Sequence, residues 1–349
     1  MRDRGKRGVL RAMRQWLTRR VTGAALASAP RISTRTVDAI EGLLATCGPY
    51  CPVIRRIVAD NMRSLGVYSK DAHRDYFARA GAHFAGQLHA LRQAGVGEGR
   101  RVCDGPADVV AERFELDASV ARLTHAAAEG TGAIVMAAHA ADFLRGMARL
   151  NQTVPLTAYY RYSRDPRRRE AKERIFRALG IAWISEPAGA SGSLGRLGRM
   201  ARAVREGGTL YFMADLARKR SEGVAVQWLG REVYLPAAPA LLALRTGAPL
   251  FMLLAEPNGP GQRLTIHGPY VPPPAARTRA DRRAAVADRM QWFASGFERF
   301  LLDQPGLWFF WGDKRWTRVC RGDPRYTRSV DPSPAAPIVS PPTGVLSEV

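Results

Sequence analysis

Gly132-Ala133-Ile134-Val135-Met136-Ala137-Ala138-His139-Ala140-Ala141-Asp142-Phe143-Leu144-Arg145 is the stretch on which the fold is decided. The apolar run before His139 reads as a buried strand, and Ala140 to Arg145 reads as the opening of a helix. An imidazole at the carboxyl end of a buried strand, beside a helix amino terminus, stands where open α/β sheets place their chemistry. The competing reading is a structural histidine at a strand end. Ala137, Ala138, Ala140 and Ala141 are all small and leave room for a substrate to reach the ring, which favours a site.

Outward from that stretch, short apolar runs alternate with basic helix-like segments, the pattern of an α/β sheet with covering helices. Strands are expected at 132–137, 156–160, 182–185, 209–213, 250–255 and 263–267. Helices are expected at 142–151, 167–179, 194–206, 238–246 and 279–303. Before them, from Val37 to about Gly95, apolar positions such as Ile54, Ile57, Val58 and Met62, then Tyr76, Phe77, Phe84 and Leu88, recur at helical spacing. From about Asp323 the chain is rich in Pro, Ser and Thr without periodicity, which reads as a disordered tail.

The 349 residues are 46% hydrophobic and 24% charged, enough for a substantial core in one large domain with extensions. Lys+Arg 53 against Asp+Glu 31 gives a net charge of +22 and implies a polyanionic partner: nucleic acid, an anionic membrane surface, or phosphorylated ligands and acidic carriers. Cys47, Cys51, Cys103 and Cys320 lack zinc-site spacing, and a reduced, cytoplasmic compartment is the default. No run approaches the roughly 20 apolar residues of a membrane span. In the first 21 residues, Met13, Trp16 or Leu17 and Val21 recur at helical spacing among eight arginines and lysines. That suits a helix lying in an anionic leaflet better than one packed on the domain. Arg11, Arg14, Arg19 and Arg20 interrupt what would be the apolar core of a signal peptide, so secretion is not expected.

Three blocks can carry chemistry. Asp142, three residues after His139, can approach the imidazole across the first helical turn and hold its proton-accepting tautomer; it can also cap the helix. The second block, Gly208 to Arg220, delivers Asp215 to the carboxyl end of a strand, either as a site wall and anion contact or as a helix or turn cap, and the basic loop Arg218-Lys219-Arg220 after it reads better as solvated charge. In the third, Trp308-Phe309-Phe310-Trp311-Gly312-Asp313-Lys314-Arg315-Trp316, aromatics alternate with cations; such a block can stack on bases, line an acyl channel or pack a core.

Val58-Ala59-Asp60-Asn61-Met62-Arg63, the strand ending in His139, Tyr160-Arg161, the strand ending in Asp215, Trp228-Leu229-Gly230-Arg231, Leu242 to Pro249 and Trp311 to Trp316 occur in an order with a family likeness. Together they resemble the lipid A late acyltransferases and their lysophospholipid and phosphatidylinositol-mannoside acyltransferase relatives, over about Ile54 to Arg318. The resemblance implies an α/β fold, a mixed central sheet sandwiched by helices, with a membrane-associating helical segment at 1–50. It further implies an acyltransferase domain at 51–320, which leaves 321–349 as the disordered Pro/Ser-rich tail read from composition. The implied activity is transfer of a fatty acyl group from acyl carrier protein or acyl-CoA to a hydroxyl of an anionic membrane lipid, on the cytoplasmic face of a bacterial inner membrane. No metal or other cofactor is implied. His139 is then the general base with Asp142 as its partner, and Arg161, Asp215 and Arg315 are the substrate-binding positions, a guanidinium suiting phosphate or an oxyanion. The chain departs from the family pattern in two places: Leu144 stands five residues after the histidine, where an acid is expected, and Gly312-Asp313-Lys314 replaces an apolar residue, His and Arg.

Those departures also fit a catalytically silent lipid-binding paralogue. A nucleic-acid-binding protein is disfavoured because the basic residues are spread along the chain without a recognisable binding motif, and a metal hydrolase because nothing like HExxH occurs.

Overall fold

The computed structural model describes residues 20, 23–24, 27–94, 114–161, 163, 165–186, 193–259, 261–272 and 278–329. The helices are Thr34–Cys47 (α1), Pro52–Ser64 (α2), Lys70–Ala94 (α3), Val120–Ala128 (α4), Phe143–Asn151 (α5), Pro166–Ala178 (α6), Ser193–Arg205 (α7), Ala238–Thr246 (α8), Arg279–Asp303 (α9) and Lys314–Cys320 (α10). The strands are Phe114–Leu116 (β1), Ala133–Ala137 (β2), Leu156–Arg161 (β3), Ala182–Glu186 (β4), Thr209–Met213 (β5), Val224–Trp228 (β6), Arg231–Leu235 (β7), Leu250–Asn258 (β8), Gly261–His267 (β9) and Thr327–Ser329 (β10).

Seven strands form one mixed sheet in the order β1-β9-β8-β2-β5-β3-β4, parallel throughout except for the β8–β9 hairpin. The fold is therefore α/β with a mixed central sheet between helices. β2 lies inside the sheet and every residue of it is buried. A strand covered on both faces has no polar alternation to offer, which is why its sequence is a continuous apolar run. Ile134 and Met136 face one core, with Met200 and Val204 of α7 and Phe293 and Phe297 of α9. Ala133, Val135 and Ala137 face the other, with Leu123 of α4, Leu144 and Met147 of α5, and Ile175 and Phe176 of α6. Burying each large apolar side chain contributes roughly 1.5–3 kcal/mol, so both faces bind their helices strongly. Gly132 begins the run because its φ is +65° and a Cβ there would sit 2.1 Å from the Val204 carbonyl oxygen.

A second, antiparallel sheet, β10-β7-β6, packs on α9. Trp228 stacks on Phe297 at 6.2 Å. The Gln291 side chain accepts from the Gln227 amide at 2.7 Å and donates to its carbonyl at 2.9 Å, joining helix to strand. The six strands expected from sequence are present with small shifts at their ends. β1, β6, β7 and β10 were not expected. Residues 37–95 were expected to be helical, and the described part divides into α1, α2 and α3 around turns at 48–50 and 65–69.

The tail reading is corrected for its first residues. Thr327–Ser329 pairs with β7, and Tyr326 and Thr327 are buried, so the fold extends past Asp323. Residues 330–349, nearly all of the basic segment at 1–21, and Cys103 lie outside the described residues. Among the described residues no helix is long and apolar enough to cross a membrane. Tyr326→Ala should lower the unfolding free energy by about 3 kcal/mol, as for truncation of a buried aromatic. Urea denaturation measures this; a tail residue would change it by less than about 0.5 kcal/mol.

Candidate active site

Neighbouring parallel strands end level with one another, and this brings distant residues together. Ala137 of β2 is in register with Met213 of β5, and the Ala214 amide donates to the Ala137 carbonyl at 2.8 Å. One residue further on, Asp215 lies beside His139, and the carboxylate Oδ1 is 2.7 Å from the imidazole Nδ1. Oδ2 accepts from the His139 amide at 2.8 Å and from the Trp308 indole N–H at 2.9 Å. The Trp316 indole donates to the Asp215 carbonyl at 2.9 Å. An ionised carboxylate is an acceptor only, so beside it Nδ1 is the donor and Nε2 is the nitrogen left facing away from the carboxylate.

The third block holds this loop in place. The Phe309 amide donates to the His139 carbonyl at 2.8 Å, the Ala141 amide donates to the Leu307 carbonyl at 2.7 Å, and Ala140 bridges to Trp308. Phe310 covers the imidazole at 4.2 Å between ring centres, and Phe143 meets it edge-on at 4.8 Å. The side chain of His139 keeps 17% of its surface, whereas that of Asp215 keeps 1%. Nε2 of His139 has no hydrogen-bond partner among the described residues. The site is thus an imidazole with Nδ1 bonded and Nε2 left without a partner, set among aromatic rings.

Asp142 is not brought to His139, and this corrects the expected pairing. Ala141 takes a positive φ of 52° and turns the chain, so Asp142 becomes the N-cap of α5 and accepts the Arg145 amide. Its other oxygen is held by the Arg145 guanidinium in a close ion pair. Oδ1 also lies 4.0 Å from Nδ1 of His83 on α3. α3 approaches closely because residue 86 is glycine: a Cβ there would lie 3.2 Å from Arg145 Nε and 3.3 Å from Asp142 Oδ2. Leu144, at the position expected to be acidic, packs in the core.

Arg161 ends β3, two residues beyond Tyr159, which is in register with Phe212 of β5; its side chain lies outside the described residues. Arg315 is exposed at the start of α10, with its amide bonded to Asp313, and no contact joins it to His139. Among the described residues no group of three or more His, Cys, Asp and Glu side chains is arranged to hold a metal ion. Trp308, Phe310 and His83 were not read as site residues. The aromatic block was visible in the sequence, but the indole bond from Trp308 to a carboxylate 93 positions away left no local signal.

His83 is buried and stacks on Phe143 at 4.5 Å, between that ring and Phe309. The Gln87 amide donates to its Nε2 at 2.6 Å, so the ring proton sits on Nδ1, which finds no hydrogen-bond partner. Burial pushes its pKa down to about 4, partly offset by the Asp142 charge. The unfolded chain therefore binds the extra proton first, and stability is lost as pH falls below 6.5 towards 4. Unfolding free energy should drop by about 2 kcal/mol between about pH 7 and pH 5 from this group. Paired urea titrations of wild type and His83→Phe measure it, the variant being flatter over that range.

Residues 98–318 match the family model described as bacterial lipid A biosynthesis acyltransferase. No curated protein matches the chain.

Proposed function

Because the chain belongs to the bacterial lipid A biosynthesis acyltransferase family, we propose that it moves a fatty acyl group from acyl carrier protein or acyl-CoA to a hydroxyl of a membrane glycolipid or lysophospholipid. The observation that supports this reading most is the 2.7 Å contact between Asp215 and Nδ1 of His139. Nε2 of His139 takes the proton of the acceptor hydroxyl as its oxygen attacks the thioester carbonyl carbon. The imidazolium formed is stabilised by the Asp215 carboxylate. As the tetrahedral intermediate collapses, the carbon–sulfur bond breaks, and the proton on Nε2 passes to the departing thiolate. The ester and a free thiol are the products.

Asp215 takes the role assigned from sequence to Asp142. The carboxylate beside His139 comes from the neighbouring strand, so Leu144 at the expected acidic position does not leave the imidazole without an orienting partner. Arg161, at the end of β3 on the same side of the sheet, is the proposed contact for the phosphate or developing oxyanion. Peripheral attachment to the cytoplasmic face of the inner membrane fits a lipid acceptor and a net charge of +22.

Mass-spectrometric detection of labelled acyl transfer to a panel of lysolipids and lipid A precursors tests the reading. His139→Ala and Asp215→Asn should each lower kcat by about 10²–10⁴-fold, the span of general-base catalysis. Asp142→Asn should leave kcat within about tenfold while lowering thermal stability, since it breaks a buried ion pair. Transfer at the wild-type rate by His139→Ala would overturn the assignment, and bound lipid without product in the wild type would indicate a silent lipid-binding paralogue.

A further inference from the structure

A cleft of about 580 Å³ opens between α2 and the start of α3, away from His139. Arg55, Arg56 and Arg63 of α2, with Tyr68, Lys70 and His73 around the start of α3, line it, and no carboxylate does. Asp60, on the exposed side of α2, pairs with Arg56 at 3.6 Å and Arg63 at 3.3 Å. Arg63 also lies over the Tyr68 ring at 4.3 Å, and His73 Nε2 lies 3.3 Å from the Arg55 carbonyl oxygen. The Arg55 guanidinium and the Lys70 ammonium have no carboxylate partner among the described residues. Two unbalanced cations in a concave wall make a site for an anion with several acceptor oxygens.

The rim narrows the choice of anion. Tyr50 lies at the mouth, Val53 and Ile54 stand on the first turn of α2 outside the lining, and the three are 77%, 66% and 47% exposed. Three large apolar side chains left in water beside a cationic cleft match the layering of a bilayer surface, with acyl chains next to phosphates. An acidic protein would meet the same cations, but three large apolar side chains in one cluster beside them favour a bilayer surface.

We propose that this cleft binds the phosphate headgroup of an anionic membrane lipid, with Tyr50, Val53 and Ile54 entering the outer acyl region. It deepens the reading above, on which it rests for the membrane as partner. The site is separate from the acyl-transfer chemistry. α2 nevertheless touches the aromatic turn at 309–312 that lays Phe310 on His139, so docking here would settle the catalytic loop at the membrane surface.

Co-sedimentation of the full chain with phosphatidylcholine vesicles, with and without phosphatidylglycerol, tests it. Arg55→Ala with Lys70→Ala should weaken partitioning to the anionic vesicles at least about fivefold. Arg168→Ala with Arg283→Ala, both exposed and carrying the same charge change, should weaken it less than about twofold. Tyr50→Ser with Val53→Ser should abolish the fraction that stays bound at high salt. Equal loss in the two arginine-containing pairs would make the attraction one of net charge alone and overturn the site. Release by inorganic phosphate at millimolar concentration would assign the cleft to free phosphate instead. Unchanged vesicle binding, with loss of binding to polyglutamate in the cleft pair, would assign it to an acidic protein. His139→Ala should bind vesicles like wild type, so failure of the acyl-transfer reading and failure of this one are separately visible.

Discussion

A carboxylate that is 1% exposed cannot stay ionised unless donors replace the water it has lost, and Asp215 has them on every side. The His139 amide, the His139 ring and the Trp308 indole serve its two oxygens, while the Trp316 indole serves its carbonyl. These groups come from the end of β2, the aromatic turns after α9, and α10. One buried charge therefore fixes the relation between the centre of the sheet and the closing segment of the fold. The sheet brings Asp215 and His139 level; the carboxylate anchors Trp308, and the Asp215 backbone carbonyl anchors Trp316.

This explains the composition of the aromatic block. Trp308, Trp311 and Trp316 are nearly inaccessible and pack on one another and on Trp228, with ring centres 4.6–5.1 Å apart. Large rings exclude water from Asp215, and their N–H groups replace the hydrogen bonds that water would have made. Trp311 follows the same rule, donating to the Pro305 carbonyl at 2.6 Å. Phenylalanine at 308 or 316 would fill the space without the bond. The basic residues Lys314 and Arg315, which made the block resemble a nucleic-acid surface, stay exposed at the start of α10.

What was legible in the sequence follows the strength of the local pattern. β2, β5 and β8 are buried on both faces, and a continuous apolar run identifies such strands without any knowledge of neighbours. His139 and Asp215 were visible because each directly follows one of those runs. β6, β7 and β10 were missed because they carry Gln227, Arg231, Glu232 and Arg328 among short apolar stretches, and only pairing with one another makes them strands. The partner of His139 was misread for a related reason. Three residues of separation bring two side chains together within a helix, but His139 precedes α5 and Ala141 reverses the backbone between them. The carboxylate 76 positions away lies closer, since strand register overrides sequence distance.

The two buried aspartates near His139 have different electrostatic consequences. Asp142 is matched by a full positive charge on Arg145, so the pair presents little net field to its surroundings. Asp215 is matched only by neutral N–H donors and by the imidazole, and among the described residues no arginine or lysine pairs with it. Its charge is solvated by the protein but not cancelled. A proton arriving on Nε2 of His139 would meet that uncancelled charge across a 2.7 Å contact, whereas the same proton beside Asp142 would compete with a guanidinium already in place. Placing the cation-neutralised acid at the helix start and the cation-free acid at the strand end is what separates a helix cap from the proposed partner of His139, and burial alone would not distinguish them.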